Sequence, residues 1–372
     1  MNKIKQQVTL KNQEFKVLTI SAPEEIEQYR ELLKNAGNNW PYFRYELINV
    51  RTVGDSALMC FVYSLDEEPV VLMPFYKRPI ILDNELTGYY DVISPWGYAG
   101  PIYKGKADAE VATAFWEHAD QWYHANNVVS EFLRFNFQEN HLYYSGSVIH
   151  TLYNVRGVIR EKEEIWDNLQ SKTKNKVRNA YKNNLEFSMF HGKISPEQVS
   201  EFYEIYISTM DRNTASDSFY HELTYFQEFV KNNFDGCAIG MVYKEGKAIS
   251  TELFLISEDT IYSYFGGTLS EYFKLRPNDF LKMEAMDWMR KKGLKYYVIG
   301  GGLKEYDSLY QYKKKFFRFD DDLSFLTGRK IVNLKVYKEL VGRTSPGFPI
   351  SELTQDSVNE GFFPKYRAPK SR

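Results

Sequence analysis

Cysteine is nearly missing from this chain: of 372 residues only Cys60 and Cys237 are cysteines, each inside an apolar, strand-like run. That excludes a disulfide framework and a cysteine zinc site, and both thiols read as small buried hydrophobes. No stretch approaches the roughly 18 apolar residues that a membrane helix needs. The opening MNKIKQQVTLKNQEF lacks the apolar core of a signal peptide, so a soluble cytoplasmic protein is expected. Charge of one sign is lacking as well. Lys+Arg 47 against Asp+Glu 49 leaves a net charge of −2, which gives no global field for DNA or acidic membranes. Any anion site must therefore be a local patch. The histidines (His118, His124, His141, His150, His191 and His221) show no metal-ligand spacing, and no metal is expected. A nucleophile elbow, a phosphate loop and a Cys–His pairing are all absent.

Aromatic residues are abundant, at 16% of the chain with 29 Tyr and 26 Phe, which points to broad aromatic packing and a tyrosine-lined groove. The main positive signal is repetition. Residues 236–302 read as CAIGMVYKEG, KAISTELFLI, TIYSYFGG, the amphipathic NDFLKMEAMDWMRKKG and then KYYVIGG. Residues 54–137 offer ALMCFVYS, PVVLMPFY, a stretch around DVISPWGYAGPIY, ADAEVATAFWEHADQWYHANN and SEFLRFNF in the same order. A helix precedes each copy, SAPEEIEQYRELLKNAG in one case and SPEQVSEFYEIYISTM in the other. Ser195 is the expected N-cap of the second, with Pro196 at its first helical position. The pattern predicts an α+β protein built from two copies of one unit, at residues 1–160 and 161–330. The stretch 331–372, with Pro346, Pro349, Pro364 and Pro369, reads as an irregular tail.

Four segments carry side chains suited to chemistry. In EEIWDNLQSKTKNKVRNAYKNN, Trp166, Leu169, Val177, Ala180 and Tyr181 are spaced to dock on a core, while Lys174, Arg178 and Lys182 recur every four residues on one face. With Lys172 and Lys176 these are acid-free neighbours, either a solvated face or a clamp for the phosphates of a nucleotide, a lipid diphosphate or RNA. Glu252 sits among β-formers in KAISTELFLI, sharing a strand face with Ser250, Phe254 and Ile256. A carboxylate there is either salt-bridged at a sheet edge or a proton acceptor for an attacking amine or hydroxyl. Gly266 and Gly267 end a strand and allow a ligand close to the backbone, and Asn278 after Pro277 is placed to cap the next helix, whose amides could hold an anion. In KYYVIGGGLKEYDSLYQYKKKFF, the glycines lack the third position of a dinucleotide fingerprint, and a loop is expected to project Asp307, Tyr310 and Tyr312 toward a cleft. Lys313, Lys314, Lys315 and Arg318 follow, next to Asp320, Asp321 and Asp322, which neutralise part of that cluster.

The ordered set SKTKNKVRNAYKNN, SEFYEIYISTM, GKAISTELFLI, YSYFGGT, PNDFLKMEAMDW and KYYVIGGG…YDSLYQYKKKFF resembles the Fem-like branch of the GNAT acyltransferase superfamily over roughly residues 160–320. That branch includes the FemABX peptidyltransferases and acetyltransferase-like proteins of polysaccharide-synthesis loci in bacteria. The first half resembles it through the repeated layout. The resemblance implies tandem GNAT-like domains, with mixed sheets flanked by helices, and transfer of an acyl or aminoacyl group to an amine. The acceptor implied is a phosphate-bearing cell-envelope precursor, a nucleotide- or lipid-linked sugar. In that frame Glu252 is the general base, and Tyr264 or Tyr312 shapes the pocket or donates to the oxyanion. Lys174, Arg178, Lys182, Lys313, Lys314 and Asp307 bind substrate, and Gly266, Gly267 and Asn278 sit where acyl-CoA would bind. The chain departs from the ordinary pattern where SEYFKLRPND replaces the R/Q-x-x-G-x-G/A pyrophosphate loop, and no long helical arm between the halves is evident. The donor thus stays open between acyl-CoA and aminoacyl-tRNA, and a non-catalytic binding member of the same fold is the rival reading.

Overall fold

The computed structural model describes residues 12–37, 40–49, 55–359 and 361–369. Most of the N-terminal stretch read for a signal peptide lies outside the described residues. The first part of the chain runs β1 (Gln13–Thr19), α1 (Pro23–Asn35), α2 (Tyr45–Ile48), β2 (Ala57–Leu65), β3 (Glu68–Leu82), β4 (Glu85–Ile93), β5 (Ile102–Tyr103), α3 (Ala109–Ala125), β6 (Val128–Arg134) and β7 (Ser147–Val158). It continues with α4 (Lys162–Asn168), α5 (Ser171–Tyr181), β8 (Glu186–His191), α6 (Pro196–Arg212), α7 (Leu223–Asn232) and β9 (Cys237–Lys244). The last part holds β10 (Lys247–Ile256), β11 (Thr260–Thr268), α8 (Pro277–Lys291), β12 (Tyr296–Gly300), α9 (Ser308–Lys314), β13 (Leu323–Ile331) and α10 (Leu334–Thr344).

The repeat read from the sequence is present as architecture. Strands β2, β3 and β4 pair antiparallel, α3 follows, and β6 returns parallel to β4. Strands β9, β10 and β11 do the same, with α8 leading to β12 parallel to β11. Each copy also has an outer antiparallel strand, β1 on β2 and β8 on β9. The chain forms two compact units. One takes the N-terminal stretch, residues 42–150 and the chain from Leu326 onward; the other takes Thr151–Phe325 with Trp40 and Pro41. The segment read as an irregular tail therefore differs from expectation. It follows directly on β13, which pairs antiparallel with β6, and contributes α10, whose Val336, Tyr337, Leu340 and Val341 are buried at helical spacing.

Both faces of the first unit's sheet are covered. Val128 packs with Phe115, Trp116 and Tyr123 of α3, while the adjacent Val129 packs with Tyr337 and Leu340 of α10. Successive strand residues point to opposite faces, so one strand serves two cores. Cys60 and Cys237 are both buried, and burial pushes the Cys60 thiol up to about 12. In the second unit, α8 and α5 cover one face through Val177, Ala180, Leu281, Ala285 and Met289. Helix α6 covers the other, with the Phe265 ring 5.2 Å from Tyr206. Ser195 caps α6 as expected, accepting from the Gln198 amide at 3.3 Å while Gln198 answers the Ser195 amide at 2.9 Å. Central strand β10 is buried from Ser250 to Leu255, which accounts for its nearly continuous apolar run and makes its carboxylate the exception. One irregularity positions the site. Strands β11 and β12 pair only from Thr260–Tyr262 to Tyr296–Val298, although β11 continues to Thr268.

Candidate functional site

Where β11 and β12 cease to pair, the second unit holds a cavity of about 530 Å³. Its wall includes Glu252 of β10, Ser263, Tyr264, Gly266 and Gly267 of β11, Lys282 of α8, and Tyr312 and Lys313 of α9. Arg212 and Arg276 stand on the same wall and are exposed, so they form part of its mouth.

Glu252 is only 4% exposed and lies on a central strand, so the sheet-edge alternative does not apply. A lone buried carboxylate would be costly, and four hydrogen bonds offset that cost. Lys282 Nζ reaches Oε1 at 2.7 Å and Oε2 at 2.6 Å, Tyr297 OH donates to Oε1 at 2.9 Å, and Ser263 Oγ donates to the same oxygen. Lys282 also donates to the Tyr297 hydroxyl oxygen at 2.7 Å. Burial first, and then the Glu252 charge, hold the Tyr297 phenol well above its ordinary value, so it stays a neutral donor. Sequence reasoning missed Lys282, Tyr297 and Ser263. The signal for Lys282 was available: it lies three residues before Ala285 and seven before Met289, hence on the buried face of α8.

Lys313 donates to the Gly301 carbonyl at 2.6 Å. Burial, and secondarily the neighbouring Lys282 charge, pull its ammonium from the ordinary lysine range down to about 8. The Tyr264 ring stacks with Phe229 at 5.9 Å, and the Tyr312 ring lies under Lys315 Nζ at 3.8 Å. Burial first, then the charges of Asp279 and Glu252, raise Tyr312 well above the usual phenol value.

Other predicted residues lie elsewhere or act differently. Lys174, Arg178 and Lys182 do not line the cavity. Lys174 donates to the Asp167 carbonyl at 3.3 Å, Arg178 lies 5.0 Å over the Trp166 ring, and Lys182 follows α5 as an exposed cap. Val177 and Ala180 are buried, as the spacing predicts, but Tyr181 is 41% exposed. Lys314 is held by Asp322 at 2.9 Å, the neutralisation expected of the acidic run. Asp307 caps α9, accepting from the Tyr310 amide at 2.8 Å and the Leu303 amide at 2.7 Å. These bonds hold its carboxyl below the ordinary value, and Asp307 is not among the residues of the cavity wall. Asn278 lines the cavity but is not the cap of α8. That place falls to Arg276, in the left-handed region at φ 61°, because Pro277 takes the first helical position where its missing N–H is not needed.

Residues 171–314, a span that contains every residue of the cavity wall, match the acetyltransferase (GNAT) domain family. This stretch is a GNAT acetyltransferase domain. That match supports a transferase, and solved structures share the fold over most of the chain. FemX superposes with a TM-score of 0.63 at 12% identity, covering 87% of this chain and 99% of FemX. L-PGS from Bacillus licheniformis gives 0.54 at 15% identity, covering 82% of this chain and 91% of that one. The C-terminal domain of a protein described as a lysylphosphatidylglycerol synthetase from Agrobacterium fabrum gives 0.56 at 10% identity, with 82% and 91% covered. These likenesses establish the shared fold. No curated protein matches the chain in sequence. Among the described residues of the GNAT domain and its companion unit, no helix is long and apolar enough to cross a membrane.

Proposed function

We propose that the cavity of the GNAT domain transfers an acyl or aminoacyl group to an amine on a phosphate-bearing cell-envelope sugar or peptidoglycan precursor. The observation that carries this reading is the charge of the wall. Arg212, Arg276, Lys282 and Lys313 line it against Glu252 and Asp279, and Asp279 is already held by Lys315 at 2.7 Å. An excess of cations with two arginines at the mouth suits a phosphate, which guanidinium groups grip in a bidentate manner. Phosphate binding thus falls to Arg212 and Arg276 in addition to Lys313. The fold neighbour described as a lysylphosphatidylglycerol synthetase bears a name that implies a phosphate-bearing product, which is in keeping with this choice of acceptor.

In this reading Glu252 is the proton acceptor for the attacking amine. Tyr264 and Tyr312 shape the walls. For the donor, Arg276 and Pro277 stand where a glycine-rich turn would offer free amides to a pyrophosphate, and Asp279 occupies the first turn of α8. Acyl-CoA would then rest on arginine side chains. The same observation favours an aminoacyl-tRNA donor as the second reading. Both donors are made in the cytoplasm, where we place the reaction.

Thermal denaturation with acetyl-CoA, lysyl-tRNA, UDP-glucosamine and phosphatidylglycerol vesicles tests the assignment. A true ligand at about a hundred times its dissociation constant adds roughly 2.7 kcal/mol of stability, and Arg212→Ala with Arg276→Ala should abolish the gain. Indifference to every phosphate-bearing compound would remove the reading.

A further inference from the structure

Strands β10 and β11 keep an ordinary antiparallel register from Ser250–Thr268 to Leu253–Phe265. Phe254 then faces Ser263, so Tyr264 is one residue extra on β11. Residues directly opposite in a sheet share a face, and so do alternate residues along a strand. Glu252 and Phe254 therefore share a face, and the bulge turns Ser263 onto it. Without the extra residue Tyr264 would stand opposite Phe254, and Ser263 would point to the other side. Bulges re-aim side chains in this way beside active sites.

The consequence is visible at Glu252. A carboxylate oxygen offers about two lone-pair positions; Oε1 accepts three bonds, from Lys282, Tyr297 and Ser263, while Oε2 accepts one, from Lys282. A proton bound for Oε1 must therefore displace one of its donors or pass through one. Among the three donor groups, Lys282 is an ammonium with no lone pair to receive a proton. Tyr297 is fully buried and is not part of the cavity wall. Ser263 is on the wall, half-buried, and its oxygen both donates and accepts.

Resting on the transfer reading above, we propose that Ser263 is a catalytic proton relay between the ligand amine and Glu252. The amine nitrogen forms the new bond to the carbonyl carbon of a thioester or ester donor. Its proton passes to Ser263 Oγ while the serine's own proton moves to Glu252 Oε1. The bond from the carbonyl carbon to the donor sulfur or oxygen breaks, and its electron pair leaves with that atom. The proton on Glu252 returns by the same hydroxyl to neutralise the leaving group, so the enzyme ends as it began.

The test compares Ser263→Ala, Ser263→Thr and Glu252→Gln with the unaltered full chain, using acetyl-CoA or lysyl-tRNA as donor and glucosamine 6-phosphate as an amine that carries phosphate. Ser263→Ala should lower kcat about a hundredfold, the scale of acid–base assistance, with KM within about twofold. Ser263→Thr, which keeps the hydroxyl, should recover most of the loss and also reports on any folding defect of the alanine variant. In mixtures of light and heavy water the rate of the unaltered enzyme should fall along a curve, because two protons move in one step. A linear fall, or a Ser263→Ala enzyme as fast as the parent while Glu252→Gln is crippled, overturns the relay and leaves the transfer reading standing. Full activity in both variants overturns the relay and the role of Glu252 as proton acceptor, and no transfer by the unaltered chain overturns the transfer reading itself.

Discussion

At the scale of single residues, the GNAT cavity is organised by a lysine that no motif announces. Lys282 and Glu252 are both nearly inaccessible, and each makes the other's burial tolerable. Lys282→Met should cost about 3–5 kcal/mol, because an unpaired carboxylate is left inside. The double variant with Glu252→Leu should recover most of it, and urea denaturation measures both. Lys313 gives a pH signature. Its folded value of about 8 lies below the 10.5 of an ordinary lysine. Between those two pH values the unfolded chain binds the extra proton, so stability rises with pH across that window and is flat below it. Lys313→Met should remove the rise in a series of melts from pH 7 to 10.5. Anion binding runs the other way: affinity for UDP-glucosamine should weaken as the pH passes about 8, when Lys313 loses its charge, and titration calorimetry would detect it.

At the scale of elements, the strands and helices of the GNAT half were legible because their patterns are strong. Pro196 with Ser195 announces α6, and the glycine pair announces the end of β11. The role of that pair was not legible. A Cβ on Gly267 would meet Thr209 Oγ1 at 2.4 Å and the Ile205 carbonyl at 2.8 Å, so this glycine lets α6 lie close against β11. Gly267→Ala should therefore destabilise by about 1–3 kcal/mol, as overpacking does, with a lowered chemical-denaturation midpoint. The basic face of α5 shows the opposite error. Its regular spacing is real, yet periodicity tells only which residues share a face, and Lys174 and Arg178 are engaged by Asp167 and Trp166. The bulge at Tyr264 leaves no trace in composition, since it is a matter of register between two strands.

At the scale of the whole molecule, duplication explains the architecture. Each unit is finished by a strand that follows the other copy in the chain: β13 pairs with β6, and β7 with β12. The C-terminal segment is thus part of the first unit's fold. Asp91 is wholly buried between Arg78 at 2.7 Å and Arg367, and Tyr366 OH bonds to Ser130. Ending the chain at Phe325 would expose β6 and leave the cluster of Val129, Ile331 and Tyr337 without its helix. Hydrogen exchange should then show protection lost throughout Val128–Arg134, with the GNAT domain's β10 still protected.

Local order alone was enough to announce two sheet-and-helix copies, capped helices, buried thiols and an unusual mid-strand carboxylate, because each is written in neighbouring residues and their spacing. Which charges meet was settled only by folding. Lys282 is thirty positions from Glu252, and Ser263 faces it through one extra residue in a strand. Distances between remote side chains follow from register and packing, which no single stretch of chain contains.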